Sequence, residues 1–252
     1  MSDRHSKSIL RLEDVSLQAT IGSDFLLQNI SCDFLQGQKI GIIGASGSGK
    51  TSLLRLLNCL VSPSGGKFFF RDLPADSFSP KKLRQSVVLS PQEPKLLGMK
   101  VIDALAYPLR LQQLSESEIR QRIDTWVDLL HLQEEWLYKT ELQLSLGQRQ
   151  LIAIARSLVM QPQVLLLDEP TSALDIGTAT HLLKVLEDLN QSQGLTIVMV
   201  NHQLELIEHF CDRWLFLEDG RIIEDIQANT IDWEAIKQRL LRSRSAQERE
   251  WS

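Results

Sequence analysis

Gly44-Ala45-Ser46-Gly47-Ser48-Gly49-Lys50-Thr51 is the segment from which the rest of this chain becomes readable. Before it stands Lys39-Ile40-Gly41-Ile42-Ile43, a short, largely apolar run with the length and branching of a buried strand. After it, Leu53, Leu56, Leu57 and Leu60 recur at helical spacing as far as the breakers Ser62-Pro63-Ser64-Gly65-Gly66. Strand, glycine-rich turn and helix in that order make a particular device. The glycines let the backbone wrap so that several N–H groups point inward, and the helix adds the positive end of its dipole. A polyphosphate fits such a cradle. Lys50 would reach its terminal phosphates, and the Thr51 hydroxyl would hold Mg²⁺. Residues Gly44 to Thr51, with Ser52 beside them, are therefore the candidate nucleotide-binding set. A merely flexible glycine loop would need neither the strand before nor the helix after.

The second half of such a site is an acidic strand end, and Leu165-Leu166-Leu167-Asp168-Glu169-Pro170 supplies one. Asp168 fits a place beside the metal, and Glu169 a place where it polarises an attacking water. Alone, an apolar strand ending in acidic residues is a weak signal. Paired with the glycine loop it is a strong one. Around these segments, strands expected at 164–168 and 196–200 alternate with helices expected around 178–191 and 203–210, which implies a mostly parallel sheet. Two further short strands, at 213–218 and 221–225, flank Asp219-Gly220 as a hairpin.

Ahead of the glycine loop, residues 9–43 read as strands and turns. The block 101–160 reads as helical. Ser115 and Glu118 have capping-box spacing, and Ile119, Ile123, Trp126, Val127 and Leu130 trace one apolar face. A second helix is expected from about Gly147, with Leu151, Ile154, Ala155 and Leu158 inward, ending before Pro162. The expected architecture is α/β: a mainly parallel sheet core, an N-terminal antiparallel β part and an inserted helical subdomain at about 95–160. It forms a single domain over 1–252, with a short tail at 226–252.

Composition limits the function. The 252 residues can bury a sizeable core, and 43% apolar with 23% charged is ordinary for a globular protein. A net charge of −5 argues against nucleic acid as a partner. Cys32, Cys59 and Cys211 lie far apart with no CxxC, so neither a disulfide framework nor a zinc site is expected. No stretch approaches the ~18 apolar residues of a membrane helix, which points to a cytosolic protein unless a partner holds it at a membrane.

Leu144-Ser145-Leu146-Gly147-Gln148 resembles the signature of ATP-binding-cassette (ABC) ATPases, within the P-loop NTPase fold. Other marks of that family follow in order. Gln92, in Ser90-Pro91-Gln92, resembles the Q-loop glutamine, Ser172-Ala173-Leu174-Asp175 the D-loop, and His202 the switch histidine. The resemblance runs from about residue 9 to 225. It implies ATP and Mg²⁺ as ligands and a head-to-tail dimer, with a second copy or a related cassette, that encloses two ATP molecules. It implies Glu169, His202 and Gln92 as catalytic residues, Thr51, Asp168 and Gln92 around the metal, and Asp175 as a coupler of the two sites. Ser145, Gly147 and Gln148 would close over the nucleotide held by the partner. Two positions depart from the family pattern. Leu146 stands where a glycine is usual, and Ile21 stands near the offset of the aromatic that stacks on adenine, leaving Phe25 as the nearest ring.

With no membrane span, a cassette of this kind would borrow a separate integral membrane permease and sit on the cytoplasmic face of the membrane. Glu93-Pro94-Lys95-Leu96-Leu97-Gly98 is the expected docking segment, its paired leucines needing a buried partner, which is either the permease or the helical lobe itself. Import is favoured slightly over export, and the substrate is not encoded. A soluble ABC ATPase acting on DNA or ribosomes would need a long coiled-coil insertion or a second cassette. A non-hydrolysing scaffold would not need Lys50, Asp168, Glu169 and His202 together.

Overall fold

The computed structural model describes residues 7–240. In chain order the elements are β1 Ser8–Gln18, β2 Phe25–Leu35, β3 Lys39–Ile43, α1 Lys50–Leu57, β4 Gly65–Phe70, β5 Leu73–Pro74, α2 Pro80–Ser86 and β6 Val87–Ser90. Then come α3 Val101–Leu111, α4 Glu116–Leu129, α5 Leu146–Leu158, β7 Val164–Asp168, α6 Ile176–Gln193, β8 Thr196–Val200, α7 Leu204–Ile207, β9 Arg213–Glu218 and β10 Arg221–Gln227. A four-stranded antiparallel sheet has the order β2-β1-β4-β5. A six-stranded sheet has the order β10-β9-β3-β8-β7-β6, all parallel except the β9–β10 hairpin.

The central strands show why they read as unbroken apolar runs. Every residue of β3, β7 and β8 is buried. Alternate side chains go to opposite cores: Val164, Leu166, Val198 and Val200 to the core that faces the antiparallel sheet and α1, Leu165, Leu167, Ile197 and Met199 to the core shared with the helical block. A strand covered on both faces loses the polar alternation of a half-exposed one. Each fully buried leucine contributes roughly 1.5–3 kcal/mol of apolar burial.

In the helical block, α4 starts as its sequence dictates. Ser115 accepts from the Glu118 N–H, and the Glu118 carboxylate accepts from the Ser115 N–H. Ile119, Ile123, Trp126 and Val127 are its buried face.

Some expectations change. α1 ends at Leu57, and Leu60 lies beyond it, half exposed. The helix expected at 203–210 shortens to the four residues of α7. α5 begins at Leu146, one residue ahead of Gly147. The Leu96-Leu97 pair divides. Leu96 is fully buried in the helical core, its N–H bonded to Glu141 Oε2 at 2.8 Å, whereas Leu97 turns outward at φ 60° and is 58% exposed. Beyond β10, Ile236 is buried and Trp233 packs edge-on against Trp214. The tail expected from 226 continues past 240 outside the described residues, Arg242, Arg244 and Arg249 with it.

Candidate functional site

The C-terminal ends of β3, β6, β7 and β8 meet along one edge of the sheet, because parallel strands all finish on the same side. Gly44 leaves β3 at φ 156°, and a Cβ there would stand 2.2 Å from the Leu217 carbonyl oxygen. Only glycine turns the chain at this point. The loop then runs to Gly49, and α1 starts at Lys50. The Lys50 ammonium is buried and folded back over its own loop, donating to the Gly44 carbonyl at 2.9 Å and the Ala45 carbonyl at 2.5 Å. Burial lowers its pKa, while the charges of Glu169 and Asp168 pull the other way. A cation held by neutral carbonyls is only partly compensated, and a phosphate offers it a stronger, charge-assisted partner.

Asp168, at the end of β7, is 3% exposed. Its Oδ2 accepts from the Thr51 hydroxyl at 2.9 Å, and its Oδ1 is buried with no hydrogen-bond partner among the described residues. Burial raises its pKa and the Thr51 bond opposes that. A dry, half-satisfied carboxylate beside a hydroxyl suits a small hard cation. Mg²⁺ takes oxygen ligands and keeps most of its shell for water and phosphate. Thr51 and Asp168 therefore fit the metal that the sequence implied.

Glu169 follows at φ 52°, its N–H donating to the Val200 carbonyl at 2.9 Å across to β8. That bond brings the residue beyond β8 within reach: His202 Nε2 lies 3.1 Å from Glu169 Oε1. Glutamate and imidazole are thus in contact at the same edge as Lys50, Thr51 and Asp168. Gln92 leaves the end of β6, whose Ser90 pairs with Leu167, so it enters this edge too, exposed.

The signature segment lies elsewhere. Ser145 caps α5, accepting from the Gln148 N–H at 3.2 Å, and Gln148 Oε1 accepts from the Ser145 N–H at 2.9 Å. Leu146 is the first helical residue and does not take positive φ, so leucine here leaves the loop unstrained. Gly147 is where glycine is required. A Cβ on it would stand 2.6 Å from the Ala173 carbonyl oxygen, so α5 starts against the 172–175 turn. Asp175 caps α6 through the Thr178 N–H at 3.0 Å. Ser145, Leu146, Gly147, Gln148 and Asp175 line one cavity, while Gly44, Ala45, Ser46 and His202 line another. One chain therefore does not bring the two sets together.

For the base, Ile21 is 91% exposed on the β1–β2 turn, and Phe25, 47% exposed, begins β2. The next carbonyl, of Leu26, would lie 2.7 Å from a Cβ on Gly49. Phe25 is therefore a neighbour of the phosphate loop. The sequence reading passed over Thr171 and Asn201, polar residues sealed into this edge. Only their position one or two residues from Glu169 and His202 could have marked them.

The family model for "ABC transporter" matches residues 27–172. Methionine import ATP-binding protein MetN of Francisella tularensis subsp. holarctica (strain OSU18) is 41% identical over 207 residues, covering 80% of this chain and 59% of the relative. MetN of Geobacillus kaustophilus (strain HTA426) is 38% identical over 223 residues, covering 86% and 65%. The chain thus spans less than two thirds of the length of these relatives. Among solved structures, the dimeric form of MJ0796, a bacterial ABC transporter cassette, superposes with a TM-score of 0.82 at 27% identity, over 88% of this chain and all of that one. CbiO1 from Clostridium perfringens, part of the ABC transporter complex cbiONQ, gives 0.78 at 29% identity, over 94% and 93%. The matched residues 27–172 take in the glycine loop, the signature segment and the acidic strand end, and the chain belongs to the ABC transporter family.

Proposed function

We propose that this chain is the ATP-hydrolysing subunit of an ABC importer, working as a head-to-tail dimer on a separate permease at the cytoplasmic face of the membrane. The contact of Glu169 Oε1 with His202 Nε2, at the sheet edge that also carries Lys50, Thr51 and Asp168, is the observation behind it. Lys50 would exchange its loop carbonyls for the terminal phosphates of ATP. Thr51 and Asp168 would hold Mg²⁺, which when bound offsets charge on the phosphate oxygens. Gln92 and His202 would complete the surroundings of the γ-phosphate. Glu169 would accept a proton from water as its oxygen bonds to the γ-phosphorus and the bond to the ADP oxygen breaks. Ser145 and Gly147 of a second copy would close the site, since one chain keeps them in a different cavity.

Import, and methionine as the first substrate to try, rest on the names of relatives that share 41% and 38% identity with the cassette. The test is uptake of labelled methionine by cells that depend on this chain, together with phosphate release by the chain purified with its membrane partner. Uptake and release that both vanish on Lys50→Ala support the proposal. Uptake of a different solute rejects methionine alone, and a wild-type complex that releases no phosphate rejects the motor.

A further inference from the structure

Thr171 and Asn201 are 0% and 3% exposed, side by side beyond the ends of β7 and β8. Sealed from water, a hydroxyl and an amide must satisfy each other or a neighbour. Thr171 Oγ1 accepts from Asn201 Nδ2 at 2.7 Å and donates to Gln203 Oε1 at 2.7 Å, and the Gln203 N–H donates to Asn201 Oδ1 at 2.9 Å. The three residues close a ring in which the hydroxyl gives its one proton and accepts one. His202 is the residue between two of its members.

The other end of the ring belongs to the turn that follows Glu169. Ser172 N–H bonds back to the Glu169 carbonyl at 3.3 Å, and Leu174 N–H to the Thr171 carbonyl at 3.1 Å. Besides the Glu169–His202 contact itself, the segment carrying His202 is therefore fastened to the segment carrying Glu169 at two further points: by the Glu169–Val200 backbone bond, and by the Thr171 hydroxyl. We infer that Thr171 is a positioning residue, its hydroxyl fixing His202 against Glu169 by holding Asn201 and Gln203. This inference rests on the proposed roles of Glu169 and His202. Valine at 171 keeps the shape of the side chain but removes both bonds, leaving the Asn201 amide without its acceptor and the histidine segment without its second fastening. Serine keeps the hydroxyl.

Two measurements test it. In steady-state ATP hydrolysis by the chain with its membrane partner, Thr171→Val is expected to lower kcat by about ten- to a hundredfold, the scale of a small misplacement of a catalytic group. KM for ATP should stay unchanged, and Thr171→Ser should recover most of the rate. Equal losses in kcat and nucleotide affinity, or no recovery with serine, would make Thr171 a general structural residue and overturn the inference. The second readout needs no turnover. In the chain labelled with ¹⁵N-histidine, the His202 ring signals are those that vanish in His202→Ala, and Thr171→Val should shift them while those of His131 and His181 stay. Unmoved His202 signals overturn the inference whatever the ATPase result. Moved signals in a wild type without ATPase activity instead reject the motor and leave the fastening standing. If Thr171→Val does not fold, Gln203→Met removes one arm of the ring at an exposed position, and the same shift, smaller, is expected.

Discussion

Glu169 is held at a positive φ that glutamate rarely adopts, and its N–H bond to the Val200 carbonyl helps keep it there. That backbone state turns the carboxylate off the end of β7, where Asp168 already faces Thr51, and towards His202. Two adjacent acids thus take different tasks. Glu169→Gln preserves size and the metal-side contacts but cannot take a proton. It should bind MgATP as wild type does and lose turnover by about 100-fold or more, the usual share of a general base. Single-turnover phosphate release checks this, and a wild-type rate would remove Glu169 from the role. Ile21 leads to a second expectation. An exposed aliphatic side chain offers no ring face, and base–aromatic stacking is worth about 1–3 kcal/mol in related recognition. ATP and GTP affinities should then agree within about tenfold, a gap of ~1.4 kcal/mol. A hundredfold preference for ATP in equilibrium binding would mean that Phe25, beside the phosphate loop, stacks on the base. Phe25→Ala should then abolish it.

At the scale of elements, the segment between β6 and α3 shows what spacing can and cannot reveal. Leu96 and Leu97 are equivalent in sequence. In the fold, Glu141 binds the Leu96 N–H and Arg156 binds the Lys95 carbonyl at 2.8 Å, and this anchoring sends one leucine inward and the other out. No local pattern encodes contacts with residues 45 and 61 positions away. The glycine loop, β7, β8 and the α4 cap were legible because their information is local: glycine positions, apolar runs, a serine three residues before a glutamate. α2 was passed over although Ser79 and Pro80 mark its start locally. β4 and β6 were not singled out, since their short runs pair with β1 and β7, strands distant in sequence. The Thr171 ring was hidden for the same reason. The corrected docking test therefore separates the leucines. Leu97→Asp should leave the melting temperature unchanged and, if the proposed permease docks here, weaken that association, since one interfacial leucine contributes roughly 1.5–3 kcal/mol. Leu96→Asp should cost roughly 4 kcal/mol or more, because it buries an unpaired carboxylate. The melting temperature should then drop by about 10 °C. Thermal denaturation with membrane co-sedimentation tells them apart, and full association of Leu97→Asp would move the docking surface elsewhere.

For the whole molecule, pH and partner copy act on the two cores and on the site as units. Burial pushes the Cys32 thiol up to about 12, the nearby Arg213 partly opposing, and pushes Cys211 upward as well. An unfolded thiol ionises near 8.5. Above that value the unfolded chain loses protons that the native chain keeps, so stability falls as pH rises, by up to about 1.4 kcal/mol per pH unit for each thiol, and no such loss occurs below it. Urea midpoints between pH 8 and 10 should decline less steeply in a Cys32→Ala, Cys211→Ala variant than in wild type. In the proposed dimer, the partner copy would matter for turnover. Lys50 and His202 belong to the phosphate-loop edge, whereas Ser145 and Gly147 line a separate cavity with Asp175. Both sets can touch one nucleotide only if a second chain brings its signature, and the N-terminus of its α5, to the phosphates. Blocking hydrolysis should therefore trap the pair. Glu169→Gln with MgATP should run at twice the monomer mass by light scattering and return to monomer when nucleotide is removed. Ser145→Arg in the same background places a bulky cation at the α5 N-terminus, where the dipole already disfavours positive charge. That variant should still bind MgATP through its own Lys50 loop, yet stay monomeric. A dimer that persists in Ser145→Arg, or forms without nucleotide, would mean that the chains associate through another face and that the signature does not complete the site.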